Sequence, residues 1–537
     1  MALNDSANPG GNRIGAMPAM ITTTTRPAAR RHSTEARGLM AVPGSPLFEG
    51  RFGRMFRGLP VFSQAESHLL ALGSAMISEA EEEVTPEGEI DPEETTKPIP
   101  AGYTYLGQFI DHDLTFDPVS TLDRQNDPDA LTDFRTPRFD LDSVYGRGPA
   151  DQPYLYDQVR EIGATRETGL FFLLGHPVSQ NIIVAGPDLP RNAQGRALIG
   201  DPRNDENLIV SQLHSVMLRF HNRMLDKVAA ETPLTGSSLL KETQRRVRWH
   251  YQWVVIHDFL PRIVGQEMVD EVFPVKEITV HGPGGGKHKV KVRVPDLDFY
   301  KPKHNAFMPV EFAVAAYRFG HSMIRPIYRL NSVQKRVPIF SDDFSPDTRE
   351  NLNGFRPLPP EFGFEWQFYF ELGGNPPDMP VQKAYRIDQQ LVNPLGHLPP
   401  PVAVDPGVLA QRNLLRGLRL GLPSGQSVAR AMHLHPIPDA DLRVGPHDEP
   451  QAPLTDLGTD FKNNAPLWYY VLREAELFHE GNQLGPVGGR IVAETFVGIL
   501  SEDKLSYQSV DPAWIPDLAN PQGAFGMPDI IRFALGR

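Results

Sequence analysis

The run Gly107-Gln108-Phe109-Ile110-Asp111-His112-Asp113 sets one amide, one imidazole and two carboxylates among Leu106, Phe109, Ile110 and Leu114. Coiled as a helix, it puts Gln108 and His112 four apart on one face, with Asp111 close to that face. Asp113 is rotated about 100° from His112 and points elsewhere. Polar groups among apolar ones are costly unless they are paired, ligating or catalytic. Four other stretches offer comparable groups. In Thr136-Pro137-Arg138-Phe139-Asp140-Leu141-Asp142 an extended chain would project Thr136, Asp140 and Asp142 to one side. Hard oxygens so placed suit Ca²⁺, and the plainer reading is a turn cluster. Asp201-Pro202-Arg203-Asn204-Asp205-Glu206 runs into a helical repeat, Leu208, Val216, Phe220 and Met224, that carries His214 and His221. Those two histidines read as packed or capped rather than as ligands. Val310 to Pro326 reads as a buried amphipathic helix with Arg318, Gly320 and His321. Leu409 to Pro423 reads as a helix with Asn413 on its Leu409 side.

The elements that must position these groups are helices. Residues 66–78 and 238–265 have helical patterning, the latter ending at Pro261, and C-terminal helices fall near 425–433, 466–479 and 485–501. Residues 275–295 read as a β-hairpin around Gly282-Pro283-Gly284-Gly285-Gly286, with basic Lys287, Lys289, Lys291 and Arg293 alternating along it. Proline, with 52 copies, favours long irregular connections over continuous sheet. Residues 1–45 read as a flexible tail ahead of a single domain, 46–537, and Glu79 to Glu94 as a solvated acidic loop.

Composition excludes several chemistries. There is no cysteine, so disulfides, thiolate catalysis, Cys-ligated zinc, iron–sulfur clusters and thiolate-ligated haem are ruled out. Any metal or haem must be held by histidine or carboxylate. Net charge is −13, which argues against nucleic acid as a partner. No run approaches the ~20 apolar residues of a membrane span. No signal-peptide pattern is visible, and the expected location is cytoplasmic or non-classically exported. Oligomeric state is not readable.

In their order along the chain, these motifs resemble those of the peroxidase–cyclooxygenase superfamily, and within it the animal-type haem peroxidases, over roughly residues 45–505. The resemblance implies a mainly α fold, a helical core around a haem with long irregular loops and little β-structure. It implies haem b bound by His321, with Asn413 accepting the His321 N–H and Arg318 among the haem-binding residues. It casts His112 as the distal base, Arg203 as the distal cation and Gln108 as lining the distal cavity. Asp111 and Glu206 correspond to carboxylates that form esters with the haem. Asp113, Thr136, Asp140, Asp142 and the Arg138 carbonyl correspond to ligands of Ca²⁺. Position 207 is Asn207 where one branch of the family has a Met linked to the haem, so that link is absent.

The implied activity is reduction of hydrogen peroxide through a ferryl intermediate, with oxidation of small-molecule donors. Gln108 beside His112 adds halides to the donors expected. Fatty-acid dioxygenases of the same superfamily are the rival, but they need a tyrosine three residues before the proximal histidine. Arg318 stands there, and Tyr317 is about 100° off around a helix. A non-enzymatic protein of this fold would be expected to have lost His112 or Arg203, and both are present.

Overall fold

The computed structural model describes residues 50–78, 95–116, 132–133, 135–157, 159–162, 165–176, 187–281, 287–303, 305–340, 350–399, 403, 405–447 and 450–536. The tail to residue 45, the acidic run Glu79 to Glu94 and the hairpin turn 282–286 lie outside the described residues. The helices that matter here are α1 (Glu66–Ala75), α2 (Gly102–Leu114), α3 (Asp142–Tyr145), α4 (Leu208–Glu231), α5 (Gly236–Val254), α6 (Leu260–Val264), α7 (Val310–Val314), α8 (Leu409–Arg419), α9 (Gly425–Ala431), α10 (Leu467–His479), α11 (Pro486–Glu502) and α12 (Met527–Leu535). Described strands are short and form two-stranded ribbons and one three-stranded sheet. The longest is the hairpin of β1 (Val275–His281) and β2 (Lys287–Arg293), antiparallel from Val275↔Arg293 to His281↔Lys287. The architecture is mainly α, as the sequence implied.

Helix α2 is central. It packs against α4, against a short 3-10 turn Pro202–Asp205, and against a second 3-10 turn Ala316–His321. Helix α4 is flanked by α5 and α12, and the Ala316–His321 turn rests on α10 and α11. One apolar core joins these elements through Phe109, Phe220, Tyr251, Phe259, Phe312 and Phe496, all buried. Phe109 meets Tyr251 edge-on with centroids 6.1 Å apart, within the favourable range for aromatic pairs. Gly107 lets α2 sit close to its neighbours, since a Cβ there would lie 3.2 Å from the Phe259 ring.

Three local expectations are corrected. The helix of residues 238–265 does not stop at Pro261. It widens into a π turn, Val255–Phe259, and continues as α6. Pro261 falls in the first turn of α6, where a missing N–H costs little, and the π turn absorbs the change of register. The helix expected over Val310–Pro326 is broken. At Ala315 the backbone leaves helical geometry (φ −127°, ψ −76°), and His321 ends a 3-10 turn instead. Arg318 Nε donates to the Ala313 carbonyl at 3.1 Å and so satisfies an acceptor that the break exposes.

The third correction concerns residues 136–142, which are not extended. Bends lead to Leu141 in the left-handed region (φ 56°), and α3 starts at Asp142. Asp113 of α2 dictates this shape. Its Oδ2 accepts the Leu141 N–H at 3.2 Å, and its Oδ1 accepts from the Ser143 N–H at 3.4 Å and hydroxyl at 3.2 Å.

Candidate active site

Every residue of α2 is buried except Gln108 and Asp111. Glu206 and Asn207 across from them are half-buried, as are Arg318, Gly320 and His321 on the turn that packs against α2. A Cβ built on Gly320 meets nothing within 4 Å. Half-buried polar side chains on otherwise buried elements are the pattern expected of a site lining, and these seven residues are its candidates.

On the α2 side, Gln108 Nε2 donates to Glu206 Oε1, and Gln108 Oε1 accepts from Asn207 Nδ2 at 2.9 Å. Asn207 is also the N-cap of α4, its Oδ1 taking the Val210 N–H at 2.9 Å. Glu206 Oε1 lies 3.4 Å from His112 Nε2. The other ring nitrogen of His112, Nδ1, is 2.8 Å from Asn204 Oδ1. Asn204 received no role from the sequence. Its only signal was a place one residue after Arg203.

Arg203 is buried and held by the Asp201 carboxylate at 2.8 Å, with its Nη2 donating to the His112 carbonyl at 2.9 Å and its guanidinium 4.8 Å from the Phe116 ring centre. Asp201 also pairs with Arg135, and Arg135 Nη1 is 3.2 Å from Asp142. A continuous chain of charges therefore runs Arg203–Asp201–Arg135–Asp142. His214 and His221 are packed, as expected: Asn204 Nδ2 lies 2.9 Å from His214 Nδ1, and His221 sits between the Tyr145 hydroxyl and the Leu170 carbonyl. Asp111 Oδ1 accepts from the Thr115 hydroxyl at 3.1 Å.

On the opposite side, Asn413 of α8 and His321 meet at 2.8 Å through His321 Nδ1. The sequence reading has the amide accepting the His321 N–H. The amide instead turns Nδ2 to the ring, because Arg318 Nη1 donates to its Oδ1 at 3.2 Å. The site nevertheless fits a haem in its chemistry. Imidazoles come from two elements, each with its Nδ1 engaged by an asparagine side chain, and an open space lies beside Gly320.

A second cluster abuts the first. Ligating oxygens of Asp113, Asp140 and Asp142 lie within 4.8 Å of one another. The Thr136 hydroxyl donates to Asp140 Oδ2 at 2.8 Å, and the Arg138 N–H donates to the Thr136 carbonyl at 2.8 Å. Burial, and then Asp142 and Asp140, push the Asp113 carboxyl well above the usual range. Asp142 is pushed up to about 7, chiefly by burial. Three crowded carboxyls with little solvent suit a hard cation that would let all three ionise. Ser143, the residue whose hydroxyl orients Asp113, was not singled out in the sequence.

The model for the animal haem peroxidase family matches residues 123–509. The chain belongs to the animal haem peroxidase family. The match takes in Arg203, Glu206, His321, Asn413, Asp140 and Asp142, and it begins after α2. Within the family, the chain is 23% identical to peroxidasin of Drosophila melanogaster over 413 residues, 74% of this chain and 24% of that protein. It is 26% identical to human thyroid peroxidase over 228 residues, 41% of this chain and 22% of that protein. The chain thus spans about a quarter or less of these curated relatives. Among solved structures, its fold is similar to that of peroxidase A from Dictyostelium discoideum (TM-score 0.55, 16% identity, 87% of this chain and 89% of that one). It is comparably similar to a fatty acid alpha-dioxygenase of Oryza sativa (TM-score 0.54, 14% identity, 89% and 77%).

Proposed function

We propose that this protein is a haem peroxidase that reduces hydrogen peroxide and oxidises small-molecule donors, halides among them. The observation that carries the reading is the pairing at His112. Asn204 Oδ1 faces Nδ1, so the Nε2 side, toward Gln108 and Glu206, is the side that can accept a proton. Bound haem would supply the redox chemistry. His112 Nε2 takes a proton from hydrogen peroxide and passes it to the departing oxygen, so that water leaves. Arg203, held rigid by Asp201, keeps a permanent positive charge next to that event. His321 would hold the iron through Nε2. That requires its proton on Nδ1 and the Asn413 oxygen turned to the ring, and the Arg318 guanidinium must then move off the amide, whose NH2 would otherwise face it donor to donor.

Asp111 and Glu206, both candidate lining residues, would carry the ester links to haem b. The carboxylates of Asp113, Asp140 and Asp142, with the Thr136 hydroxyl and the Arg138 carbonyl, would hold Ca²⁺. Asp113 follows His112 directly, so the cation would stiffen the end of α2 that presents the base. Arg318 at the third position before His321, hydrogen-bonded to Asn413, is the feature that favours a peroxidase over a fatty-acid oxygenase.

The test is to mix haem-loaded protein with hydrogen peroxide and follow the Soret band. The expected result is a rapid shift that a small donor reverses, slowed about 10²–10⁴-fold by His112→Ala. A band that never shifts overturns the reading. Uptake of O₂ with a fatty acid and no added donor would replace it with the dioxygenase.

A further inference from the structure

Asn204 stands between two histidines. Its Oδ1 lies 2.8 Å from His112 Nδ1, and its Nδ2 lies 2.9 Å from His214 Nδ1. Asn204 and His214 are 0% exposed and His112 is 1% exposed, so water does not substitute for either contact. A side-chain amide has one accepting end and one donating end. The two ring nitrogens that it bridges must therefore play opposite roles. With the oxygen toward His112, Nδ1 of His112 carries a proton and Nε2 carries a lone pair. With the nitrogen toward His214, Nδ1 of His214 is bare. Turning the amide over reverses both rings, and His112 Nε2 would then hold a proton and be unable to accept one.

We propose that Asn204 and His214 are positioning residues that hold His112 in its Nδ1–H tautomer and so keep Nε2 a base toward the site. This rests on the peroxidase reading above and adds to it a pair of residues on separate elements. Asn204 lies in the Pro202–Asp205 turn and His214 lies two turns into α4. His214 Nε2 has no hydrogen-bond partner among the described residues, which makes Asn204 the one hydrogen-bond partner of this ring there. Burial lowers the His214 pKa to about 3, so the ring stays neutral and can go on accepting from the amide. Phe109 of α2 packs edge-on against it, 6.1 Å between centroids, and fixes its plane.

Cyanide binding to the haem-loaded protein reads the base without turnover, because HCN binds as the anion and leaves its proton on the distal base. Asn204→Leu is expected to slow cyanide association about 10²-fold, the lower end of what a positioned base contributes. Asn204→Asp is expected to recover most of that loss, since a carboxylate only accepts and needs no help to choose the His112 tautomer. His214→Phe is expected to slow association about tenfold or more in the Asn204 protein, and to cost little further in the Asn204→Asp protein. In ¹⁵N-histidine-labelled protein, a protected Nδ1–H signal from His112 is expected with Asn204 or Asp and lost with Leu. Equal losses from His214→Phe in both backgrounds, or an unchanged rate in Asn204→Leu, overturn the proposal. If cyanide follows this pattern while peroxide is left intact, the peroxidase reading fails and the tautomer assignment stands. If peroxide is reduced at a rate indifferent to Asn204→Leu, the assignment fails and the peroxidase reading stands.

Discussion

The Tyr317 hydroxyl donates to the Gly107 carbonyl at 3.2 Å. This bond ties the turn that ends in His321 to the helix that presents His112. Burial, and then the Asp111 charge, push the phenol well above its ordinary range, so it remains a donor at any working pH. Tyr317→Phe is expected to cost about 0.5–1.5 kcal/mol, the net worth of one buried hydrogen bond. A urea titration would register it as a lower midpoint at unchanged slope. An unmoved midpoint would mean that packing alone joins the two elements.

The space beside Gly320 separates folding from haem uptake. Since a Cβ there meets nothing within 4 Å, a larger side chain is accommodated by the haem-free chain. Gly320→Leu is expected to keep its cooperative unfolding transition and to lose most of its haem, measured as the ratio of Soret to protein absorbance after reconstitution. Full occupancy in that variant would place the haem elsewhere.

The carboxylate cluster predicts a pH-dependent response to calcium removal. Without a cation, Asp113 and Asp142 hold protons in the folded chain that they lose when unfolded. The folded state then binds more protons, so metal-free stability falls as pH rises from the ordinary carboxylate range to about 7, the value for Asp142. Calcium bound there would displace those protons and remove the penalty. Chelation with EGTA should therefore lower the melting temperature more at pH 8 than at pH 5. An equal drop at both, or none, would separate Asp113, Asp140 and Asp142 from calcium.

Ester links through Asp111 and Glu206 predict that haem stays with the chain in acidified acetone after exposure to peroxide. Single replacements, Asp111→Asn and Glu206→Gln, should each weaken retention, and the double replacement should release all the haem. Complete release from the unmodified protein would leave these two carboxylates as polar lining only.

Much of this site could be read from residue order. The spacing of Gln108, Asp111 and His112 gave a helix with one polar edge, and α2 has that edge. The 275–295 hairpin also follows from periodicity and breakers, as do the helices read over 409–423 and 466–479, which run Leu409–Arg419 and Leu467–His479. What escaped depends on contacts between distant segments. Leu141 turns left-handed because Asp113, from another helix, claims its N–H. The helix of 310–326 breaks where Arg318 reaches back to Ala313, an event that an apolar repeat does not encode. Asn204 was invisible because its importance lies in having two neighbours, His112 and His214, on two other elements.

Asn207 closes off one route that the family takes elsewhere. The same side chain begins α4 and grips Gln108, with its oxygen given to Val210 and its nitrogen to Gln108. A thioether at this position could bond to a haem, but it could neither start the helix nor orient the glutamine. Here residue 207 serves the protein scaffold, and in the proposed reading haem retention would fall to the two carboxylates and His321.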